Sequence, residues 1–155
     1  MMDIQEISDR LEIQDLVTKY CTSVDKKNWE NYRALFTKNA SIDYSGSGGL
    51  VGSVDEVIAY LDASLGFQQD LGFAPTTQHL VSNFDLTRNG DSAHVRCILY
   101  NPIMLGDSGS AGTNAAIFGV WYQFDVVRED GWKIKGLSQE PAIQITGLKN
   151  TGSLF

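Results

Sequence analysis

Apolar residues Ile4, Ile7, Leu11, Ile13, Leu16, Val17, Tyr20 and Cys21 recur at short spacings, mostly on one face of a 3.6-residue period. The pattern predicts an amphipathic first helix. Trp29, Tyr32, Arg33 and Phe36 fit a second, shorter helix, with Asn28 as its side-chain cap and VDKKN as the tight corner between the two. Ala40 to Tyr44 reads as a short strand that runs into SGSGG, a glycine-rich turn where the chain reverses. A third helix is expected from Ser53. Glu56, three residues on, completes a capping box, and Val54, Val57, Ile58, Leu61 and Leu65 form the apolar side.

From Thr76 the texture changes. TTQHLVSNFDL, SAHVRCILYNPIML, NAAIFGVWYQFDVV and GWKIKGLSQEPAIQI are rich in β-branched and aromatic residues and predict four long strands. RNGD (88–91), GDSGSAG (106–112) and REDG (128–131) have the chemistry of hairpin turns, so an antiparallel meander follows. Helices first and sheet later is the order of an α+β domain, and no repeat or linker divides residues 1–155. A strongly curved, mostly antiparallel sheet wrapped over N-terminal helices makes a cone-shaped α+β barrel with an interior.

Strand alternation says which residues face that interior. With His79 inward, Val81 and Asn83 share its face, while Leu80, Ser82 and Phe84 take the other. The next strand offers Cys97, Leu99, Asn101 and Ile103 on one face: a single amide among apolar neighbours, as in a small-molecule pocket. Trp121, Tyr122 and Phe124 divide between core, interface and pocket, with Trp121 taken as a pocket residue. The tail after Pro141, AIQITGLKNTGSLF, is apolar and is expected to cover the pocket mouth or pack on a neighbouring subunit. GDSGSAG is read as a flexible turn and a candidate lid, because it lacks the ending and setting of a phosphate loop.

Composition narrows the partners. The 155 residues are 43% hydrophobic and 20% charged, with a formal charge of -7 and no basic cluster, which argues against nucleic acid and against anionic lipid surfaces. No apolar run approaches the length of a membrane span, and MMDIQEISDRLEIQ lacks the apolar core of a secretory signal, so the expected location is the cytoplasm. Cys21 and Cys97 fall in apolar stretches and read as reduced, structural thiols. Two cysteines with His79 and His94 show none of the paired spacings of a zinc site, so no metal is expected.

IQDLVTKYCTSVDKKNW, SIDY and TTQHLVSNFDL together resemble the SnoaL-like branch of the nuclear transport factor 2-like superfamily, across about residues 5 to 140. Within that branch the chain is similar to scytalone dehydratase, the bile acid 7α-dehydratases and hexachlorocyclohexane dehydrochlorinase, which are cofactor-free lyases. The resemblance implies an Asp after the first helix paired with a His at the start of the long sheet, matched here by Asp25 and His79. It implies a Tyr closing the first strand, matched by Tyr44, and a TQH triplet, matched by Thr77, Gln78 and His79. The scytalone dehydratase pattern departs at two places. Val24 stands where that pattern has a Tyr before the Asp, and Ile103 where it has a second His. Arg128 is the candidate for the arginine that the other two lyases use. Relatives are dimers or trimers, so a homo-dimer or homo-trimer is implied.

Acid/base chemistry then gives each residue a role. A histidine has the side chain whose ordinary pKa lies nearest neutrality, so His79 is the proton carrier. Asp25, bonded to one ring nitrogen, fixes the tautomer and favours the imidazolium as it forms. Tyr44 takes the acid role as a hydrogen-bond donor, and Val24, Val81, Asn83, Leu99, Asn101, Ile103 and Trp121 contact a small hydrophobic organic substrate. The expected reaction is a cofactor-independent dehydration or related elimination on a cyclic metabolite. An isomerase or polyketide cyclase of the SnoaL type, or a non-catalytic binding or assembly module, are the alternatives. For single residues there are structural readings: His79 as a strand histidine, Asp25 as a helix cap, Tyr44 as a wall residue. His94, among charged neighbours, is expected to face solvent.

Overall fold

The computed structural model describes residues 2–69, 72–106 and 114–149. Helix α1 (Ile4–Asp25) begins at Asp3, whose carboxylate accepts the Glu6 backbone N–H at 2.7 Å and so satisfies one of the free donors of the first turn. Its buried face runs through Asp9, Ile13, Leu16, Val17, Tyr20 and Val24. Ile4, Ile7 and Leu11, expected on that face, are exposed. At ~100° per residue they cluster on the side of the helix roughly opposite Asp9 and Tyr20. A buried carboxylate thus lies in the position where the pattern suggested an apolar residue.

Asn28 caps α2 (Trp29–Ala34) by accepting the Asn31 N–H at 3.0 Å. Phe36, expected in that helix, already belongs to strand β1 (Phe36–Asp43), which therefore starts four residues earlier than Ala40. SGSGG forms a short 3-10 turn at Ser45–Ser47 laid against the last strand. Gly46 is required there: a Cβ would sit 2.1 Å from the Gln139 carbonyl oxygen. Strand β2 (Val51–Ser53) leads into α3 (Val54–Leu65), whose capping box between Ser53 and Glu56 is complete in both directions.

The sheet comprises β3 (Thr76–Thr77), β4 (Leu80–Asn89), β5 (Ser92–Leu105), β6 (Asn114–Arg128) and β7 (Trp132–Lys149), joined by β1 and β2. Strands β4 to β7 form the expected antiparallel meander. β1 adds to β7 in parallel, so the sheet is mixed, with the order β2-β1-β7-β6-β5-β3 and β4 also on β5. It curls into a half-barrel around the helices. One continuous core joins them, with Tyr20, Tyr32, Phe36, Tyr122 and Phe124 in contact at its centre. Among the described residues, no helix is long and apolar enough to cross a membrane.

Two details re-aim side chains. β3 and β4 lie on the same edge of β5, separated by Gln78 and His79, so His79 sits in a break of the edge rather than on a strand. Within β4, the two residues between Ser82 and Asp85 stand against one on β5, Cys97, and Asn83 takes φ 54°, a β-bulge. The extra residue reverses the alternation beyond it. Asn83 is exposed and Phe84 packs on the core, opposite to the expected assignment.

The N-terminal half of α1 is tied to the sheet by charge. Asp9 is fully buried, with Arg128 Nη2 donating to Oδ1 at 2.6 Å, Gln5 to the same oxygen at 2.9 Å, and Arg88 Nε 2.8 Å from Oδ2. The hydrogen bond from Arg128 outweighs burial and holds the Asp9 carboxyl below its ordinary range. Replacing Asp9 by Asn leaves two arginines facing a neutral amide. We expect a loss of about 2 kcal/mol at neutral pH in urea denaturation, below the fully buried limit because both guanidinium groups keep contact with water. A folded-state pKa below the unfolded one makes this contribution complete above about pH 4 and lost as the pH falls through the native value. Wild-type stability should therefore drop more steeply than that of Asp9→Asn below about pH 4.

Candidate active site

Asp25 is the last residue of α1, where the helix dipole disfavours a carboxylate and no basic residue in the last turn offsets it. Asn28 caps the next helix, so the Asp25 carboxylate is not used as a cap and turns to the sheet edge instead. There Oδ1 accepts from Thr77 Oγ1 at 2.8 Å and lies 2.6 Å from His79 Nδ1, and Oδ2 accepts the His79 backbone N–H at 3.0 Å. Burial pushes the Asp25 carboxyl upward, but the bonds from the His79 ring, the His79 backbone and Thr77 outweigh it and hold it below its ordinary range. An ionised acceptor keeps the ring proton on Nδ1. Nε2 then carries the lone pair, 3.5 Å from Asn101 Nδ2.

His79 lines a cavity of about 610 Å³ between the helices and the concave face of the sheet. Such a volume is in the range of small-molecule sites. Val24, Leu61, Leu99, Ile103, Phe118 and Val120 supply apolar wall. At one end lie tyrosine hydroxyls. Tyr44 Oη is 2.6 Å from Tyr20 Oη and 3.0 Å from Tyr32 Oη, and Tyr20 donates to Tyr122 at 3.4 Å. Burial pushes all four phenols upward, so they stay neutral donors and acceptors. The buried thiols are likewise inert: burial raises Cys21, and raises Cys97 to about 12.

Of the residues expected from sequence, His79, Tyr44, Val24, Leu99, Asn101 and Ile103 line this cavity, and Asp25 stands directly behind His79. Three do not. Val81 is half-buried against the core, Asn83 points to solvent at the bulge, and Trp121 lies on the outer face with the Arg96 guanidinium 3.6 Å above its ring. Trp121 faces out because Val120 and Tyr122 face in. Tyr44 Oη lies within hydrogen-bond reach of two other hydroxyls, those of Tyr20 and Tyr32. Arg128 is engaged by Asp9 and Asp91 and is not a site residue. His94 is exposed, paired with Asp125 at 2.8 Å. The last strand continues past Pro141 to Lys149, and Thr146 and Gly147 border the cavity. Residues 107–113, with most of GDSGSAG, and 150–155 of the tail lie outside the described residues.

Sequence reasoning gave no site role to Tyr20, Tyr122 or Phe118, and named Thr77 only within the TQH triplet. Tyr20 and Val24 are one helical turn apart, and Val120 and Tyr122 alternate with Trp121. Those periodicities were visible, but they could not say which buried side chains border a void.

Comparison with known proteins agrees with this architecture. The chain is 36% identical over 137 residues to the uncharacterized protein Rv2910c of Mycobacterium tuberculosis (strain H37Rv), spanning 86% of each. The fold is shared with a candidate scytalone dehydratase from Novosphingobium aromaticivorans, at TM-score 0.72 and 19% identity over 96% of this chain and 94% of that one. It is shared also with the hexachlorocyclohexane dehydrochlorinase LinA-type3 of Novosphingobium barchaimii, at TM-score 0.73 and 17% identity, covering 94% of each. The half-barrel is thus the nuclear transport factor 2-like fold, and with residues 5–138 matching the SnoaL-like domain, the chain belongs to the SnoaL-like family.

Proposed function

We propose that this protein is a cofactor-independent lyase, a dehydratase acting on a small hydrophobic cyclic metabolite, with His79 and Asp25 as its acid/base pair. The observation that carries the reading is the 2.6 Å contact between His79 Nδ1 and Asp25 Oδ1 at the wall of an apolar cavity. His79 Nε2 takes a proton from carbon next to an activating carbonyl. Asp25 stabilises the imidazolium that forms and keeps the ring turned toward the cavity. The imidazolium then returns the proton to the departing hydroxyl oxygen: C–H and C–O break, C=C forms, and water leaves. Thr77 positions Asp25 through its 2.8 Å bond to Oδ1. The fold's presence in a dehydrochlorinase supports an elimination on this scaffold.

Incubation with a panel of hydroxylated cyclic ketones and phenols, followed by mass spectrometry, is the direct test. Loss of water from a panel member supports the reading. A product of unchanged mass points to an isomerase or cyclase, and no turnover anywhere in the panel overturns the enzyme reading in favour of a binding module. On a turned-over substrate, His79→Ala should lower kcat by about 10²–10⁴-fold with KM changed little. Asp25→Asn should fall by at least about 10²-fold, because an amide no longer enforces the Nδ1–H tautomer. Nitrogen-15 NMR of the His79 ring should report that tautomer in the wild type and its loss in Asp25→Asn; an unchanged spectrum would count against the pairing.

The same reading takes the protein as a homo-oligomer of two or three copies. Supporting it, Leu80, Tyr100, Gly119 and Ile143 align in register across the outer face of the sheet, and the three larger side chains are exposed. A Tyr100→Glu, Ile143→Glu variant should sediment as a smaller species than the wild type.

A further inference from the structure

Three large aliphatic side chains on α1 have no place in the core. Ile4 is 87% exposed, Leu11 59% and Ile7 45%, and none belongs to the buried cluster that joins the helices to the sheet. Spacings of three and four residues put them within about 60° of one another around the helix, on a straight seam about 10 Å long. Gln14 and Thr18 continue the same line, so the apolar seam ends after two turns. Aliphatic residues scattered singly over a surface are ordinary. Three of them aligned at the a and d positions of a heptad are the pattern of a helix that packs on another. The seam is also held still: Asp9, on the opposite face of the same turns, is fixed to Arg88 and Arg128 of the sheet. A rigid surface loses little conformational freedom when it is covered.

Charge around the seam says what fits it. In helical projection Asp3 and Asp15 lie beyond its two ends and Glu12 lies beside it. On the other side Arg10 is paired with Glu6 at 3.5 Å, which leaves Asp3, Glu12 and Asp15 to set the sign of the border. A second copy of this chain would bring that acidic border against itself, and an anionic lipid surface would be repelled by it. A segment with basic flanks is attracted. The single straight row of apolar side chains, two turns long, matches one face of a helix rather than the broader face of a sheet.

We propose that the outer face of α1 at Ile4, Ile7 and Leu11 is a docking surface for a cationic amphipathic helix of a partner protein. The partner lays apolar residues at i, i+3 and i+7 along the seam and carries Lys or Arg on its flanks, where they meet Asp3, Glu12 and Asp15. Two turns of contact bury less area than a permanent complex needs, so the association is of the weak, reversible class. The surface shares no residue with the cavity, and the assignment is independent of the lyase reading.

The probe is a synthetic peptide, two repeats of LAALKAK, which puts leucines on one seam and lysines on its flanks. Two control peptides separate the contributions: repeats of LAALEAE reverse the flanking charge, and repeats of SAASKAK keep the charge and remove the leucines. Methyl-detected NMR titration of the full chain should show saturable shifts at Ile4, Ile7 and Leu11 with the first peptide, and binding weaker by about tenfold for either control. Leu11→Ser should weaken the first peptide by about tenfold. Glu12→Gln with Asp15→Asn should weaken it by several-fold and flatten its decline with added salt. These positions are exposed, and an unchanged thermal midpoint in each variant shows that the loss is not one of folding. Equal binding of the leucine-free peptide would mean general attraction to an acidic protein and would overturn the assignment. So would shifts confined to other parts of the chain, or none at millimolar peptide. A Leu11→Ser protein that sediments as a smaller species than the wild type would give the seam to a second copy, and wild-type adsorption to phosphatidylglycerol vesicles that Leu11→Ser abolishes would give it to lipid; either result defeats the proposal.

Discussion

The Asp25 carboxylate organises the site. It sits at the unfavourable end of a helix dipole and partly out of water, and three donors from the Thr77–His79 segment compensate for both. In taking the His79 backbone N–H it also removes that group from the β-ladder. The sheet edge accordingly breaks between β3 and β4, and the imidazole can turn inward at the break. One ionised group thereby fixes the backbone, the tautomer and the orientation of the residue that meets the cavity.

A second carboxylate, the fully buried Asp9, ties the same helix to the sheet more than four turns away. Its partners Arg88 and Arg128 come from β4 and β6, so α1 is fastened to the sheet at both ends by charge and in the middle by apolar packing. That leaves the region between free to be lined rather than filled. The void lies where the helix presents Tyr20 and Val24, the sheet presents Leu99, Asn101, Val120 and Tyr122, and none of these side chains is long enough to close the gap. Neutral phenols and the His79 imidazole face the same cavity, which makes it a site for hydrogen bonding inside apolar walls, where such bonds are strong because water does not compete.

Much of this was legible in the chain. The three helices, the Asn28 and Ser53 caps, the meander from Thr76 and the pairing of Asp25 with His79 all follow from local chemistry or from a resemblance carried by a few residues. The errors have particular causes. Asn83 and Phe84 exchanged faces because a bulge adds one residue to β4, and a period of two cannot anticipate an interruption of itself. Ile4, Ile7 and Leu11 were grouped with the buried stripe because short spacings were taken for a single face, yet at ~100° per residue they fall opposite it; the buried position was Asp9, a residue that only its two arginines make tolerable inside. Trp121 was taken as a pocket residue although alternation alone left its face open, and the register with Val120 and Tyr122 turns it out to Arg96.

By itself the sequence determined which elements form, their order, and which residues carry titratable chemistry, because these depend on neighbours within a few positions. Only the tertiary structure decided that residues 20, 32, 44 and 122 bring four hydroxyls into one hydrogen-bonded cluster, and that Asn101 Oδ1 is left without a partner among the described residues. A hydrogen bond between residues a hundred positions apart leaves no local pattern, since it is fixed by how a curved sheet closes over a helix rather than by the preferences of either.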